Sequence, residues 1–291
     1  MFSADLLANA VVAGLLLGGF YAAVAIGLAI VFGQLDIVNI AHPAFVIVGA
    51  YIAYILNSRF GFDPVLVGLL AAPAFFVVGA LIYRVYFLAF ERTGQESLSG
   101  LAFFFGVMFI IEVVLILIYG VDYRLVSAGY SAQTLAFGFV DLPGRMLVPF
   151  VVAMTLTAAV WLYLSRTFMG RAIQAVAQDR LALQLMGADP VRIKQWAFGL
   201  GIATAAIAGS LLIVIGPVEP SVGRLYIGRA FAIVVLGGMG SIQGMFIAAL
   251  ILGVVESMVS TFAGPSWSPA VAFGLLALTL ALRPAGLFGR R

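Results

Sequence analysis

The sequence predicts an all-α protein, a polytopic transmembrane helix bundle of about 8–9 spans with one helix short or re-entrant. Three observations carry this. Hydrophobic residues make up 64% of the chain and charged residues only 9%, against roughly 25% charged in a soluble domain. That is too little charge for a surface facing water. Apolar runs of roughly 17–25 residues, the length that crosses a bilayer, recur along the whole chain. Lys and Arg then fall in connecting segments, where they set topology.

The runs place spans at 6–32, 40–56, 64–87, 98–119, 146–165, 190–216, 242–262 and 268–283. A shorter apolar piece, 225–238, lies between the last three. No soluble domain of independent size fits beside them, so residues 1–291 read as a single membrane domain. The segment from Met1 to Asp5 lacks the basic region and cleavage site of a signal peptide, so 6–32 is read as a true span. With 166–194 cytoplasmic and 225–238 crossing, Arg84, Arg92, Arg166, Arg171, Arg180, Arg192, Lys194, Arg283, Arg290 and Arg291 lie inside. Arg59, Arg124, Arg145, Arg224 and Arg229 lie outside. The excess is on the side the positive-inside bias requires, with the N-terminus outside and the C-terminus inside. A re-entrant 225–238 would move the N-terminus.

Several chemistries are excluded at this level. The net charge of +3 is topological and implies no nucleic-acid partner. The chain has no cysteine and one histidine, so a protein-built zinc site is not expected.

Within the first connection, Asp36, Asn39 and His42 recur at spacings of three. A continuing helix would put them on one face; an irregular turn before Pro43 would make them line a break. Pro43 either starts the second helix in its first turn or kinks the chain. Glu112 and Glu256 sit within apolar spans, where a charge costs roughly 2.5–3.5 kcal/mol on the mildest scale. Each is read either as a pathway or gate residue or as a buried hydrogen-bonding group that fixes packing. The 120–145 segment, with Asp122, Arg124, Asp141 and Arg145, is either an external docking loop or a plain connector.

The stretch 170–187 is a polar, helix-forming island in an otherwise apolar chain. It reads as two short helices. Asp179 caps the second, Gly187 closes it in the left-handed conformation, and Asp189-Pro190 opens the next span. Ile173, Val176 and Ala177 share one face, with Arg171, Gln174 and Gln178 opposite. Such a helix either rests on the headgroups or docks into a groove on a cytoplasmic protein.

Gly237-Gly-Met-Gly-Ser241 is glycine-rich but lacks the Gly-Lys-Ser/Thr ending of a phosphate-binding loop, and Lys194 is the only lysine. ATP hydrolysis is therefore not expected on this chain. The glycines read as a helix-packing knot or as a substrate contact. Ser241 has no nucleophile elbow around it and His42 is the only imidazole, so an intramembrane enzyme is poorly supported. Glu219 and Arg224, flanking Pro220 and Gly223, are placed on an outer rim or a solvated loop. Residues 14–33 and 199–216 echo each other in composition with opposite predicted direction, as an inverted repeat would.

The stretches 19–28 (from Gly19 to Leu28), Asn39-Ile-Ala-His42, Gly49-Ala-Tyr51, Gly170-Arg-Ala172 with Ala177-Gln-Asp179, Leu236-Gly-Gly-Met-Gly-Ser241 and Arg283-Pro-Ala-Gly-Leu-Phe-Gly289 together resemble permease subunits of branched-chain amino-acid ABC importers, of the LivH type. The resemblance implies a type II-like ABC importer permease in the bacterial inner membrane. It implies that loop 166–190 carries the coupling helices, with Gly170, Arg171, Ala172, Gln178, Asp179, Leu183 and Gly187 meeting the ATPase. Candidate pathway or gate residues are Asn39, His42, Pro43, Gly237, Gly238, Gly240, Ser241 and Glu256. The implied partners are a second homologous permease, two cytoplasmic ABC ATPases, a periplasmic solute-binding protein and membrane lipid. No cofactor is expected on this chain, ATP and Mg²⁺ belonging to the ATPases. Members of the family usually have Gly where this chain has Pro43. The implied substrate is a branched-chain or other hydrophobic amino acid, with an aromatic or other organic acid, an amide or urea as the alternative. A passive channel, the reading from another class, would have no need of the 170–187 island.

Overall fold

The computed structural model describes residues 4–94, 97–137 and 140–289. Met1–Ser3, Arg290 and Arg291, used above in the topology, lie outside the described residues. Eleven α-helices follow one another: α1 (Ala4–Leu35), α2 (His42–Phe60), α3 (Pro64–Tyr86), α4 (Ser97–Tyr119), α5 (Gly144–Arg166), α6 (Phe168–Gln178), α7 (Arg180–Leu185), α8 (Pro190–Ile215), α9 (Gly223–Gly237), α10 (Ile242–Ala263) and α11 (Ser268–Leu282). Among the described residues, nine helical segments are long and apolar enough to cross a membrane. A π-helical turn, Phe87–Glu91, extends α3.

Local chemistry explains most boundaries. Asp63 caps α3 by accepting from the Val65 and Leu66 N–H groups, and Asp189 caps α8 through Val191 and Arg192. Each cap is followed by a proline at the first helical position, where the missing N–H costs nothing. Pro43 lies in the first turn of α2, so it starts that helix. Gly61, at φ 70°, ends it in the left-handed conformation.

The structure bears on two readings that the sequence left open. The first span runs to Leu35, and Asp36, at φ 58°, then turns the chain back. Asp36, Asn39 and His42 therefore share no helical face. They belong to a break, with Asp36 exposed and the other two fully buried. The 120–145 segment is also more than a connector: it carries a two-stranded antiparallel hairpin, β1 (Thr134–Phe137) and β2 (Val140–Pro143). Arg124 pairs with Val218 in a bridge that ties this segment to the loop after α8.

The two most buried helices, α1 and α8, form the centre. Helix α10 packs along α1, and α3 along α8. Each pair is antiparallel: Gly14 lies against Val254 and Gly33 against Gly240, while Gly68 lies against Ser210 and Gly79 against Gly199. Helix α2 rests on α8 and α9 on α1, with α4 against α2 and α11 against α9. The helices α8–α11 thus repeat the packing of α1–α4 with direction reversed, an inverted repeat. The compositional echo between 14–33 and 199–216 falls on its two central helices.

Close backbone contact holds this centre together. A Cβ on Gly209 would strike the Val46 carbonyl oxygen and come within 2.6 Å of the Ala50 nitrogen, so α2 and α8 meet backbone to backbone. Small residues serve this purpose where burial of apolar surface gives no net drive to helix association.

The short piece predicted at 225–238 is α9. Its preceding loop is tied at Val218 to Arg124, and Gly237 at its far end lies against Gly244 and Met245 at the start of α10. With Val218 tied to Arg124 and Gly240 against Gly33 near the end of α1, this segment runs from one end of the bundle to the other rather than turning back. Helix α9 starts partway through the bundle, where Gly223 abuts Pro43 and Ile47. Helix α2 starts at the same place: His42 reaches Val24 in the body of α1 and lies next to Gly27. Two partial helices therefore meet end to end inside the fold. The sequence predicted one such helix, and α2 is the second.

Candidate functional site

At one end of the bundle, α6 and α7 project as a separate element. Thr167 caps α6 by accepting the Gly170 N–H at 3.0 Å. A Cβ at Gly170 would lie 2.5 Å from the Leu164 Cα, so glycine lets α6 fold tightly onto α5. Ala172, Ile173 and Val176 are buried, while Arg171, Gln178 and Asp179 are exposed. Ala177, on the same face as Ile173 and Val176, is exposed, while α6 packs against α1, α5 and α8. Asp179 accepts from Ala182 N–H at 2.9 Å and so caps α7. Leu183 is buried beneath α7, and Gly187, at φ 80°, closes it. The outward side shows large apolar groups, Phe168, Leu181, Leu185 and Met186.

The glycine loop faces this element. Gly238 and Gly240 both have positive φ, which only glycine adopts at low cost. Ser241 Oγ accepts the Gly244 N–H at 3.0 Å and caps α10. Leu287 and Phe288 donate their N–H groups to the Leu236 and Gly237 carbonyls, pinning the C-terminal segment onto the loop. Between loop and α6 runs a polar cleft, with cavities of about 450 and 380 Å³ that share Gly33, Gln34, Ala177 and Met239. Gln34, on α1, borders both cavities and donates from Nε2 to the Gly240 carbonyl at 2.8 Å.

The other candidate residues lie apart from the cleft. Asn39 Oδ1 accepts the Ala41 N–H at 3.1 Å, stabilising the entry to α2. His42 Nε2 donates to the Val24 carbonyl at 3.1 Å, which fixes its tautomer. Both bonds lie at the break beside Pro43, while Asn39 Nδ2 and His42 Nδ1 are buried without a hydrogen-bond partner among the described residues. Glu256 is elsewhere again, on α10, accepting from Arg229 Nε at 3.1 Å and Tyr21 Oη at 2.9 Å. The guanidinium lies over the rings of Tyr21 and Tyr226.

Among the described residues, three charged pairs join distant helices, and none of these pairings was predicted from the sequence. Glu256 pairs with Arg229, Glu112 with Arg224, and Lys194 with Glu91. Glu112 accepts from Arg224 Nε at 2.8 Å as well as from Nη2, so Arg224 is no simple rim residue. Charge within apolar spans was the available signal, since such groups must find partners. Which partner each finds is decided by packing between distant segments.

A bundle of crossing helices built as an inverted repeat, with partial helices meeting inside it and a helical pair projecting at one end, is the architecture of a membrane permease. Residues 10–280 match the family described as branched-chain amino acid transport system / permease component, and the chain belongs to that family. It is 33% identical to the high-affinity branched-chain amino acid transport system permease protein BraD of Pseudomonas aeruginosa, covering 95% of this chain and 94% of that protein. It is 30% identical to LivH of Escherichia coli K12, with the same coverage. A partial match, 33% identical over 55% of this chain and 39% of the relative, is to the LivM permease protein of the same organism. No solved structure matches.

Proposed function

We propose that this chain is the permease subunit of an ATP-driven ABC importer in the bacterial inner membrane, taking up a branched-chain or other hydrophobic amino acid. Residues 1–291 form one permease domain, and 166–190 is its coupling loop. It works with a second, homologous permease of the kind the LivM similarity suggests, two cytoplasmic ATPases that hold ATP and Mg²⁺, and a periplasmic binding protein that delivers the solute.

The α6–α7 element carries this reading. It is capped at both helices, seated on α1, α5 and α8, and bears exposed Phe168, Leu181, Leu185 and Met186. Exposed apolar side chains on a polar projection suit a protein groove. The same element walls the cleft with Gln174, Ala177 and Gln178. A push on α6 would therefore act on the Gln34–Gly240 contact and the cleft it borders, with Gly238, Gly240 and Ser241 as the bending element.

The test is reconstitution of the chain with its partner permease and ATPases in liposomes. ATP-dependent leucine uptake that is lost when Leu181 and Leu185 are both changed to Asp, together with ATPase binding, supports the reading. Leucine flux without ATP, unaffected by those changes, would identify a channel instead.

A further inference from the structure

We infer that Arg224, held by Glu112, is a carboxylate-binding residue on the translocation path. This rests on the import reading above and deepens it. Arg224 lies roughly 20 Å along α9 from Gly237, and Glu112 roughly 22 Å along α4 from Ser97, at 1.5 Å per residue. With a hydrocarbon core roughly 30 Å thick, both are at membrane depth. Yet the Arg224 side chain is 52% exposed, whereas that of Glu112 is 7% exposed. A guanidinium at such depth does not face lipid tails; it faces water or a polar partner.

The chemistry left over fits a carboxylate. Glu112 engages Nε and Nη2, and Nη1 has no partner among the described residues. The two N–H groups on Nη1, with the outer edge of Nη2, form the kind of donor fork that carboxylates match. The Phe109 ring, 5.2 Å from the guanidinium carbon, supports its plane. Because Glu112 already balances the charge, an anion is held weakly enough to leave again, as conduction requires.

Position supports the same reading. Arg224 follows Gly223, which abuts Pro43 where α2 and α9 meet. Ligand sites in inverted-repeat transporters lie near the midplane at discontinuous helices. The hollow there, lined by Ala44, Ile47, Glu112, Pro220, Gly223 and Arg224, is only about 10 Å³, so a carboxylate would meet the exposed side of the guanidinium rather than enter it. The Arg229–Glu256 pair is a weaker candidate, because Tyr21 and Tyr226 close over it and its arginine side chain is only 14% exposed.

The experiment uses the complete transporter in liposomes, with leucine as probe. Arg224→Gln is expected to lower uptake at least about tenfold, the factor for loss of one charge-assisted hydrogen bond. Arg224→Gln/Glu112→Gln is expected to stay equally low. Recovery in the double variant would mean that the pair serves packing alone, and wild-type uptake in Arg224→Gln would be equally fatal. A second measurement does not depend on leucine. The chain has no cysteine, so Leu225→Cys, assembled with cysteine-free partners, supplies a single thiol beside Arg224. Anionic and cationic methanethiosulfonates should both modify it, with the preference for the anion falling several-fold when Arg224 is also changed to Gln. No modification, or an unchanged preference, overturns the inference. Absence of leucine uptake by the unmodified transporter, with the anion preference intact, would overturn the amino-acid reading and leave the anion site standing.

Discussion

Lys194 and Glu91 stand 103 positions apart in the chain and 2.7 Å apart in the fold. The Lys194 side chain is 9% exposed and that of Glu91 1%. Tyr83 Oη donates a further hydrogen bond to Glu91 at 2.8 Å. The pair joins the first turn of α8, just beyond the α6–α7 element, to the π-helical turn that extends α3.

Removing one member takes a close charged contact from the other. Lys194→Met should destabilise the protein by up to about 3–5 kcal/mol, because the buried Glu91 carboxylate loses the Lys194 ammonium. Lys194→Met combined with Glu91→Leu should recover part of that loss, since no buried charge remains although the Tyr83 hydroxyl loses this acceptor. Unfolding of the purified protein in detergent, followed by circular dichroism, measures both. Equal loss in the single and double variants would show that the ion pair is not what stabilises this junction.

The crossing of α2 and α8 gives a second prediction. In Gly209→Ala the new methyl meets the backbone of Val46, Gly49 and Ala50, none of which can rotate away. Overpacking of this kind costs about 1–3 kcal/mol or more. Gly106→Ala on α4 meets nothing within 4 Å and should be stabilising by up to about 1 kcal/mol, through helix propensity. Folded yield and melting temperature should fall for the first and hold or rise for the second.

What the sequence revealed follows a physical division. Spans, the caps at Asp179 and Asp189, the stop at Gly187 and the start at Pro43 are local: hydropathy, a side-chain oxygen or a fixed φ acts within a few residues. The partners of Glu112, Glu256 and Glu91 are set by which helices pack together, and no pattern within one segment records that. The break after Leu35 was visible only as an alternative, because it depends on Asp36 adopting a positive φ and His42 reaching back to Val24. The inverted repeat left a faint trace because its central helices need small residues for close approach, which constrains composition but not order. Ala177 shares the face of Ile173 and Val176 yet is exposed, because helical periodicity gives a face and the neighbouring helices decide how much of it is covered.

At α7 the question is whether Asp179 acts as a cap or as a charge. Its carboxylate accepts the Ala182 N–H, and loss of such a cap costs about 1 kcal/mol of helix stability. Asp179→Ala should fray α7, seen as faster amide hydrogen exchange over 180–186, and should weaken ATP-driven uptake. Asp179→Asn keeps a capping oxygen and removes the charge. Slow exchange and normal uptake in Asp179→Asn would assign the capping role. Slow exchange with lost uptake would show instead that the partner reads the charge.

The Glu256 cluster allows two contributions to be ranked. Arg229 donates from Nε and Nη2 to Oε1 and from Nε also to Oε2, where Tyr21 adds a single hydrogen bond. Tyr21→Phe removes only the hydroxyl and keeps the ring under the guanidinium, so it should cost about 1.5–3 kcal/mol, the range for hydrogen bonds to charged groups. Arg229→Met leaves Glu256 buried with Tyr21 alone and should cost more, about 3–5 kcal/mol. Arg229→Met/Glu256→Met removes the charge from both sides and should fall below Arg229→Met in cost. Helices α1, α9 and α10 are joined by this cluster, so the same order should appear in protease resistance of the α9 segment. If Tyr21→Phe proved as damaging as Arg229→Met, the hydroxyl rather than the ion pair would be the element that holds α9 to the rest of the bundle.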